Sequence, residues 1–362
     1  MKDFDRCLKS CLESITNCNL GDHSFVQATL PVKFGGLGVR RVEDISLPAF
    51  IASCSKTAET VSQLLPHEHM TPFTASLSEA VLKWKAIDSR LSEPLPSASG
   101  FQKNWDYPVA ELHLAILIEK ASTDLTRARL LAVSAPYAGV WLNAIPVPSL
   151  GLKLNNESLR IAVGLRLGAK LGLPYKCICG TAVEDSVTHG LDCRRAMGKH
   201  ARHSEVNNII HRALSAAAVP SHLEPVGMCR NDGKRPDGAT LIPWKQGKCL
   251  VWDFTCVNTI ARSHLIKAVS KAGAPGLTAE EKKKAKYSCL SDSYIFTPIA
   301  LETLGPWGSE AAAFVSEIGR RLFVATGDPR AASFLRQKMS IAVQRGNAAC
   351  ITGSYPEGPE TF

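Results

Sequence analysis

Two short stretches place carboxylates where carboxylates are unfavourable. Arg235-Pro236-Asp237-Gly238 sets one aspartate just after a proline at a strand start. Leu250-Val251-Trp252-Asp253-Phe254-Thr255 sets a second, 16 positions further on, inside an apolar strand. Between them, Pro243-Trp244-Lys245-Gln246-Gly247-Lys248 reads as the turn of a hairpin. A carboxylate in so apolar a run is costly unless it is paired or binds a metal. Two of them side by side repel each other and drive their pKa values apart, and a divalent cation removes that penalty. Hard oxygen ligands suit Mg²⁺, so the pair has the ligand arrangement of a metal-dependent phosphodiesterase. The plainer reading is an ordinary hairpin with a turn aspartate, because Pro-Asp-Gly is common turn chemistry.

A second constellation lies upstream. Cys177-Ile178-Cys179-Gly180 is followed by His189-Gly190-Leu191-Asp192-Cys193, a Cys-x-Cys…His-x₃-Cys set. Three thiolates and an imidazole make a closed tetrahedral site, the form of a structural Zn²⁺. The segment between Gly180 and His189 is short, polar and too poor in apolar residues to fold around a core of its own. The first Cys pair is closer than the usual spacing of about two to four residues. The alternatives are buried or free thiols beside a helix histidine, or His200 or His203 in place of an assigned ligand. The remaining cysteines are scattered. With 12 in a chain of 362 residues and no secretory leader at Met1-Lys2-Asp3-Phe4-Asp5-Arg6, the thiols read as reduced, three of them on zinc. Cys7, Cys11 and Cys18, spaced like one helix face, read as packing.

The fuller pattern resembles the restriction-enzyme-like nuclease core, whose signature is Pro-Asp, a spacer, then Asp or Glu, any residue, and Lys. Pro236-Asp237 and Asp253 supply the acidic part, and Thr255 stands where the lysine belongs. Some members of that superfamily carry the lysine on the following helix, here Thr278 to Tyr287. Thr278 and Glu281 have capping-box spacing, which puts Lys283 and Lys286 on one helix face. Glu224, in His222-Leu223-Glu224-Pro225, falls where the superfamily often keeps an extra metal-binding glutamate. A zinc-knuckle-like cluster directly before such a nuclease resembles the carboxy-terminal end of certain non-LTR retrotransposon proteins. Their order is reverse transcriptase, thumb, Cys-Cys-His-Cys motif, then restriction-like endonuclease. Leu30-Pro31-Val32-Lys33-Phe34-Gly35-Gly36-Leu37-Gly38-Val39-Arg40 and Pro48 to Ser53 are similar to the segment after the polymerase core. Arg127-Ala128-Arg129-Leu130, Gly139-Val140-Trp141-Leu142 and Gln344-Arg345-Gly346-Asn347 extend the likeness. No Asp-Asp pair occurs, so the expectation excludes a working reverse transcriptase.

The resemblance implies a role for each residue. Asp237 and Asp253 would hold Mg²⁺, with Glu224 as a further direct or water-mediated ligand. Lys283 or Lys286 would orient the attacking water or neutralise the phosphate, and Tyr287 could assist through its hydroxyl. Lys234 and Arg235 flank the site and, with Lys282 and Lys284, could contact the nucleic-acid backbone, or they are solvated charges. The implied activity is strand nicking of DNA. The alternative is an inactive, zinc-stabilised remnant that binds DNA or RNA, since a fold does not guarantee chemistry.

The formal net charge of +9 favours polyanionic partners. From Arg262 to Lys286 seven basic residues face two acidic ones, a stripe able to neutralise several phosphates. No run of about 18 apolar residues suggests a membrane span, and the expected setting is intracellular and nuclear. The expected fold is an α/β carboxy-terminal domain with an αβββαβ core, preceded by a mainly helical amino-terminal region and a small zinc-binding motif. Its divisions are a post-polymerase remnant over 1–93, a linker and helical connector over 94–175, the knuckle over 176–200, the nuclease domain over 201–354 and a tail over 355–362. Helices are predicted over 1–18, 46–64, 75–91, 108–133 and 156–171. A helix near 204–218 precedes a strand around Glu224 and the hairpin. Helices over 260–286, a strand over 294–302 and helices near 309–325 and 331–347 follow.

Overall fold

The structure, a computed structural model, describes residues 1–64, 66–228 and 235–356. The chain divides into two compact units, Met1–Ile15 with Leu20–Lys120, and Thr16–Asn19 with Ala121–Phe362. Residues 94–120 of the expected linker and connector therefore lie inside the first unit, and residues 121–175 lie in the second.

The first unit is helical. Its elements are α1 (Lys2–Thr16), α2 (Asp22–Ala28), α3 (Val42–Leu64), α4 (His67–Lys85) and α5 (Gln102–Glu119). Its core gathers Ile51, Ala52, Ala80 and Val109 around Trp84 and Trp105, whose rings meet edge to face at 5.0 Å. The buried Asp5 carboxylate accepts from the Val42 and Glu43 amides at 2.9 and 3.2 Å, satisfying orphan donors at the start of α3. The helix predicted over 75–91 instead runs His67–Lys85, with Pro72 inside its second turn. Cys7 and Cys11 are exposed on α1 and do not pack as expected, whereas Cys18 is buried beyond the helix end.

The second unit is mixed α/β. Helices α6 (Asp124–Val133) and α7 (Asn156–Leu167) lead to a two-stranded hairpin, β1 (Tyr175–Lys176) and β2 (Ala182–Val183). Then follow α8 (Gly198–Ala216), β3 (Ser221–Leu223), β4 (Gly238–Thr240), β5 (Cys249–Val257), α9 (Leu265–Ser270), α10 (Ala274–Lys286), β6 (Tyr294–Glu302), α11 (Ser309–Thr326) and α12 (Ala331–Thr352). Strands β3 to β6 form one sheet in sequence order. The β3–β4 and β4–β5 pairs are antiparallel, and β5–β6 is parallel with Phe254 opposite Ile299.

Alternation across β5 explains why one face makes a core and the other a site. Leu250, Trp252 and Phe254 join Ile299 and Leu301 against apolar residues of α8, α11 and α12. Val251, Asp253 and Thr255 take the opposite face, where Lys283 of α10 meets Asp253. Within the region predicted as helical over 260–286, Gly273-Ala274-Pro275-Gly276 is where α10 begins. Gly273 adopts φ 78° and Pro275 occupies the first turn, a position that tolerates a missing N–H. The capping-box start at Thr278 is thus corrected, and the Thr278 hydroxyl accepts instead from Lys267 at 3.0 Å. Among the described residues no helix is long and apolar enough to cross a membrane.

Candidate active site and metal centre

Asp237 is held by the sheet ladder itself. Its amide donates to the Trp252 carbonyl at 3.0 Å and its carbonyl accepts from the Glu224 amide at 2.8 Å. Since Gly238 pairs with Trp252 and the strands run antiparallel, Asp237 stands opposite Asp253. The residue after it must be glycine. A Cβ at position 238 would lie 2.1 Å from Cζ2 of Trp252, so the indole occupies the space a side chain would need. The Asp237 Oδ2 accepts from the Phe254 amide at 2.6 Å and from His203 Nε2 at 3.1 Å.

Asp253 is 4% exposed, and burial, reinforced by the Asp237 charge, pushes its carboxyl above the ordinary aspartate range. Lys283 forms an ion pair with Asp253 Oδ2 and works in the opposite direction. The Tyr287 hydroxyl, itself buried, lies 3.4 Å from Asp253 Oδ1 and donates to the Arg235 carbonyl at 3.2 Å. Tyr287 therefore ties the end of α10 to the segment that delivers Asp237. Its ring is set by Phe296 of β6, 4.7 Å away between centroids. Two carboxylates opposed across a sheet, one of them buried and raised, form a donor set that a hard dication would stabilise.

The remaining site residues fall in different places. Of the two lysines, Lys283 reaches Asp253, while Lys286 lies 4.9 Å from the centroid of the Tyr287 ring. Glu224 follows β3 directly, but its side chain is 65% exposed and paired with Arg235. Neither Glu224 nor a third residue joins the aspartates in a close ligand group among the described residues. Lys284 pairs with Glu310 at 2.6 Å. Lys282 is exposed on a cleft of about 360 Å³ that Lys283, Lys286 and Thr255 also line. An adjoining cleft of about 730 Å³ shares Thr255 and is bounded by Lys199, His200 and His203 of α8. Lys234 lies outside the described residues.

His203 was legible only as a spare zinc ligand. Its hydrogen bond to Asp237 raises its pKa above the ordinary imidazole value, while burial acts against this. Asn207, one helical turn on, accepts from Trp252 Nε1 at 3.0 Å and lies 3.3 Å from His203 Nδ1. A histidine four residues before an asparagine on a helix carries no sequence signal for this, because the partners Asp237 and Trp252 lie 34 and 45 residues further along the chain.

The cysteine cluster assembles as the spacing predicted. The β1–β2 hairpin closes with the Cys177 amide donating to Thr181 and the Gly180 amide to Cys177, bringing Cys177 and Cys179 to its tip. A short 3₁₀ turn over Thr188–Leu191 presents His189, and the Cys193 amide donates to the His189 carbonyl at 2.9 Å. The four ligand atoms of Cys177, Cys179, His189 and Cys193 lie within 4.8 Å of one another, and His200 and His203 are not among them. Tetrahedral zinc–thiolate geometry requires sulfurs about 3.8 Å apart, and the Cys177 and Cys193 sulfurs are 3.5 Å apart. The Thr181 hydroxyl and amide draw the Cys179 thiol down to about 6, while burial pushes Cys177 up to about 12. Binding of a cation would displace the Cys177 proton. This Cys-Cys-His-Cys group could bind a metal ion such as zinc.

The cluster is not a free appendage. A Cβ on Gly190 would come within 2.7 Å of the Ile351 Cα, and one on Gly198 within 2.5 Å of the Cys350 amide, so both glycines let the cluster sit directly on α12. The Ile178 amide donates to the Ser354 carbonyl at 3.1 Å, and Tyr175 stacks on Tyr355. Comparison with known proteins returns no matching family model and no matching curated sequence.

Proposed function

We propose that this chain is a Mg²⁺-dependent endonuclease that nicks one strand of DNA, of the restriction-like type found at the carboxy-terminal end of non-LTR retrotransposon proteins. The observation that carries the reading is the Lys283–Asp253 pair opposite Asp237. It supplies from α10 the cation that Thr255 cannot. The succession α8, β3 to β5, α9 and α10, then β6 also follows the αβββαβ order of that nuclease core.

Each residue then has a task. Asp237 and Asp253 would hold the dication, which when bound supplies Lewis acidity toward a scissile phosphate and offsets their mutual repulsion. Lys283 orients Asp253 and lies beside the cleft that would take the phosphate. Tyr287 keeps Asp253 and the Arg235 backbone in register. Lys282 and Lys286 line that cleft as phosphate contacts. Arg235 and Lys284, expected as further contacts, are paired with acids, and Glu224 would act only through an exposed, water-mediated position. The Cys3His group would carry a structural zinc that fastens the knuckle to α12. A nuclear protein with DNA as its partner fits this chemistry.

A second reading, a non-catalytic DNA- or RNA-binding remnant, is favoured by one feature: both carboxylates already have partners within the protein. Nicking of supercoiled plasmid in Mg²⁺ decides between them. The nuclease reading expects nicked circles from the wild type and none from Asp253→Ala of equal zinc content. Salt-dependent binding without nicking by either protein would leave the remnant.

A further inference from the structure

The hydrogen bonds behind Asp237 have a direction. Tryptophan Nε1 is a donor only, so the Asn207 oxygen must face Trp252 and its amino group must face His203 Nδ1. An amino group against Nδ1 requires that nitrogen to accept. The ring proton then resides on Nε2, which donates to Asp237 Oδ2. Oδ2 already accepts from the Phe254 amide, so two donors are spent on one oxygen and Oδ1 is the oxygen they leave.

We propose that His203 is a positioning residue for the carboxylate pair, fixed as the Nε2–H tautomer by the Trp252–Asn207 relay so that Asp237 presents Oδ1 to a divalent cation. This rests on the nuclease reading for the cation and on geometry alone for the tautomer. The Asp237 charge invites a second proton onto the ring, but the Asn207 amino group facing Nδ1 opposes it. The relay begins at the indole that packs over Gly238, so one aromatic side chain sets both the backbone path of the strand and the orientation of its carboxylate. Donors behind a ligating group characteristically tune metal affinity by about 10–100-fold.

The test has two separate readouts. Imidazole ¹⁵N shifts of the wild type should show a pyrrole-type Nε2 and a pyridine-type Nδ1 for His203. Asn207→Asp keeps the acceptor for Trp252 but puts an acceptor against Nδ1, and should abolish that signature. Calorimetric titration with Mg²⁺ should show His203→Leu weakened by about 10-fold or more, with His203→Gln, which keeps an N–H donor, largely restored. A wild-type proton on Nδ1 overturns the relay. Equal Mg²⁺ affinity in wild type and His203→Leu overturns the positioning role. A wild type that binds no Mg²⁺ sinks the nuclease reading and the positioning role with it, while the spectrum still judges the relay.

Discussion

Lys283→Met is the sharpest perturbation of the proposed site. The substitution keeps the length and much of the shape of the side chain while removing the ammonium from a carboxylate that is 4% exposed and faces a second carboxylate. Removing one partner of a buried pair typically destabilises by about 3–5 kcal/mol. Here the loss is limited, because Asp253 can take up a proton at about 1.4 kcal/mol per unit of pKa difference. We expect Lys283→Met to lose about 2–4 kcal/mol at neutral pH in chelator. Asp253→Asn sheds both the desolvation and the repulsion from Asp237, and should stay within about 1 kcal/mol of wild type. The double variant should recover most of the lysine loss, a coupling of about 1–3 kcal/mol. Urea unfolding followed by circular dichroism measures all four proteins. Saturating Mg²⁺ adds a contrast, since a ligand at about 100 times its Kd stabilises by about 2.7 kcal/mol, and only proteins retaining both carboxylates should gain it. A Lys283→Met protein as stable as wild type, or a double variant as unstable as the sum of the singles, would refute the electrostatic argument.

Other consequences are as direct. Gly238→Ala drives a methyl into the Trp252 ring, and should cost at least about 1–3 kcal/mol by urea unfolding. Removing metal with a strong chelator, or making Cys193→Ser, should expose α12 and raise amide exchange at Ala348 to Thr352, because the cluster packs on that segment; unchanged protection there would count against a structural metal. Lys282→Glu should weaken DNA binding and lower the slope of log affinity against log salt by about one unit. Lys284→Ala, whose ammonium is paired with Glu310, should leave that slope nearly unchanged. Fluorescence anisotropy at several salt concentrations reads both.

The parts of the site that the sequence carries are those written in short-range composition and spacing. The β6 strand runs from Tyr294 to Glu302, the bounds expected of that mainly apolar run, and Asp253 is recognisable because it is the only charged residue in β5. The four clustered ligands lie within 17 residues and need only a hairpin and one turn to meet. The start of α10 was less legible because two valid signals competed, the Thr278…Glu281 spacing and the Gly-Ala-Pro start. The second prevails where Pro275 fits the first turn and Glu280 is needed elsewhere, accepting from the Glu310 and Ala311 amides at 3.1 and 3.0 Å. Extending α4 back to His67 required reading through Pro72, whose missing N–H would fall to a carbonyl of the first turn. His203 and Asn207 meet partners 34 and 45 residues further along the chain, and no spacing rule encodes that.

The neighbours Asp237 and Gly238 carry a consequence for how the chain finds its fold. A hairpin can pair in registers one residue apart, and each slip sends every side chain to the opposite face. In a slipped β4–β5 pair the Asp237 carboxylate would face the Trp252 indole within the apolar core cluster, where burying its charge is costly. The correct register alone offers the indole an empty glycine and the carboxylate a histidine and an amide. The same charge that would serve the chemistry would therefore also weigh against the misaligned pairing during assembly.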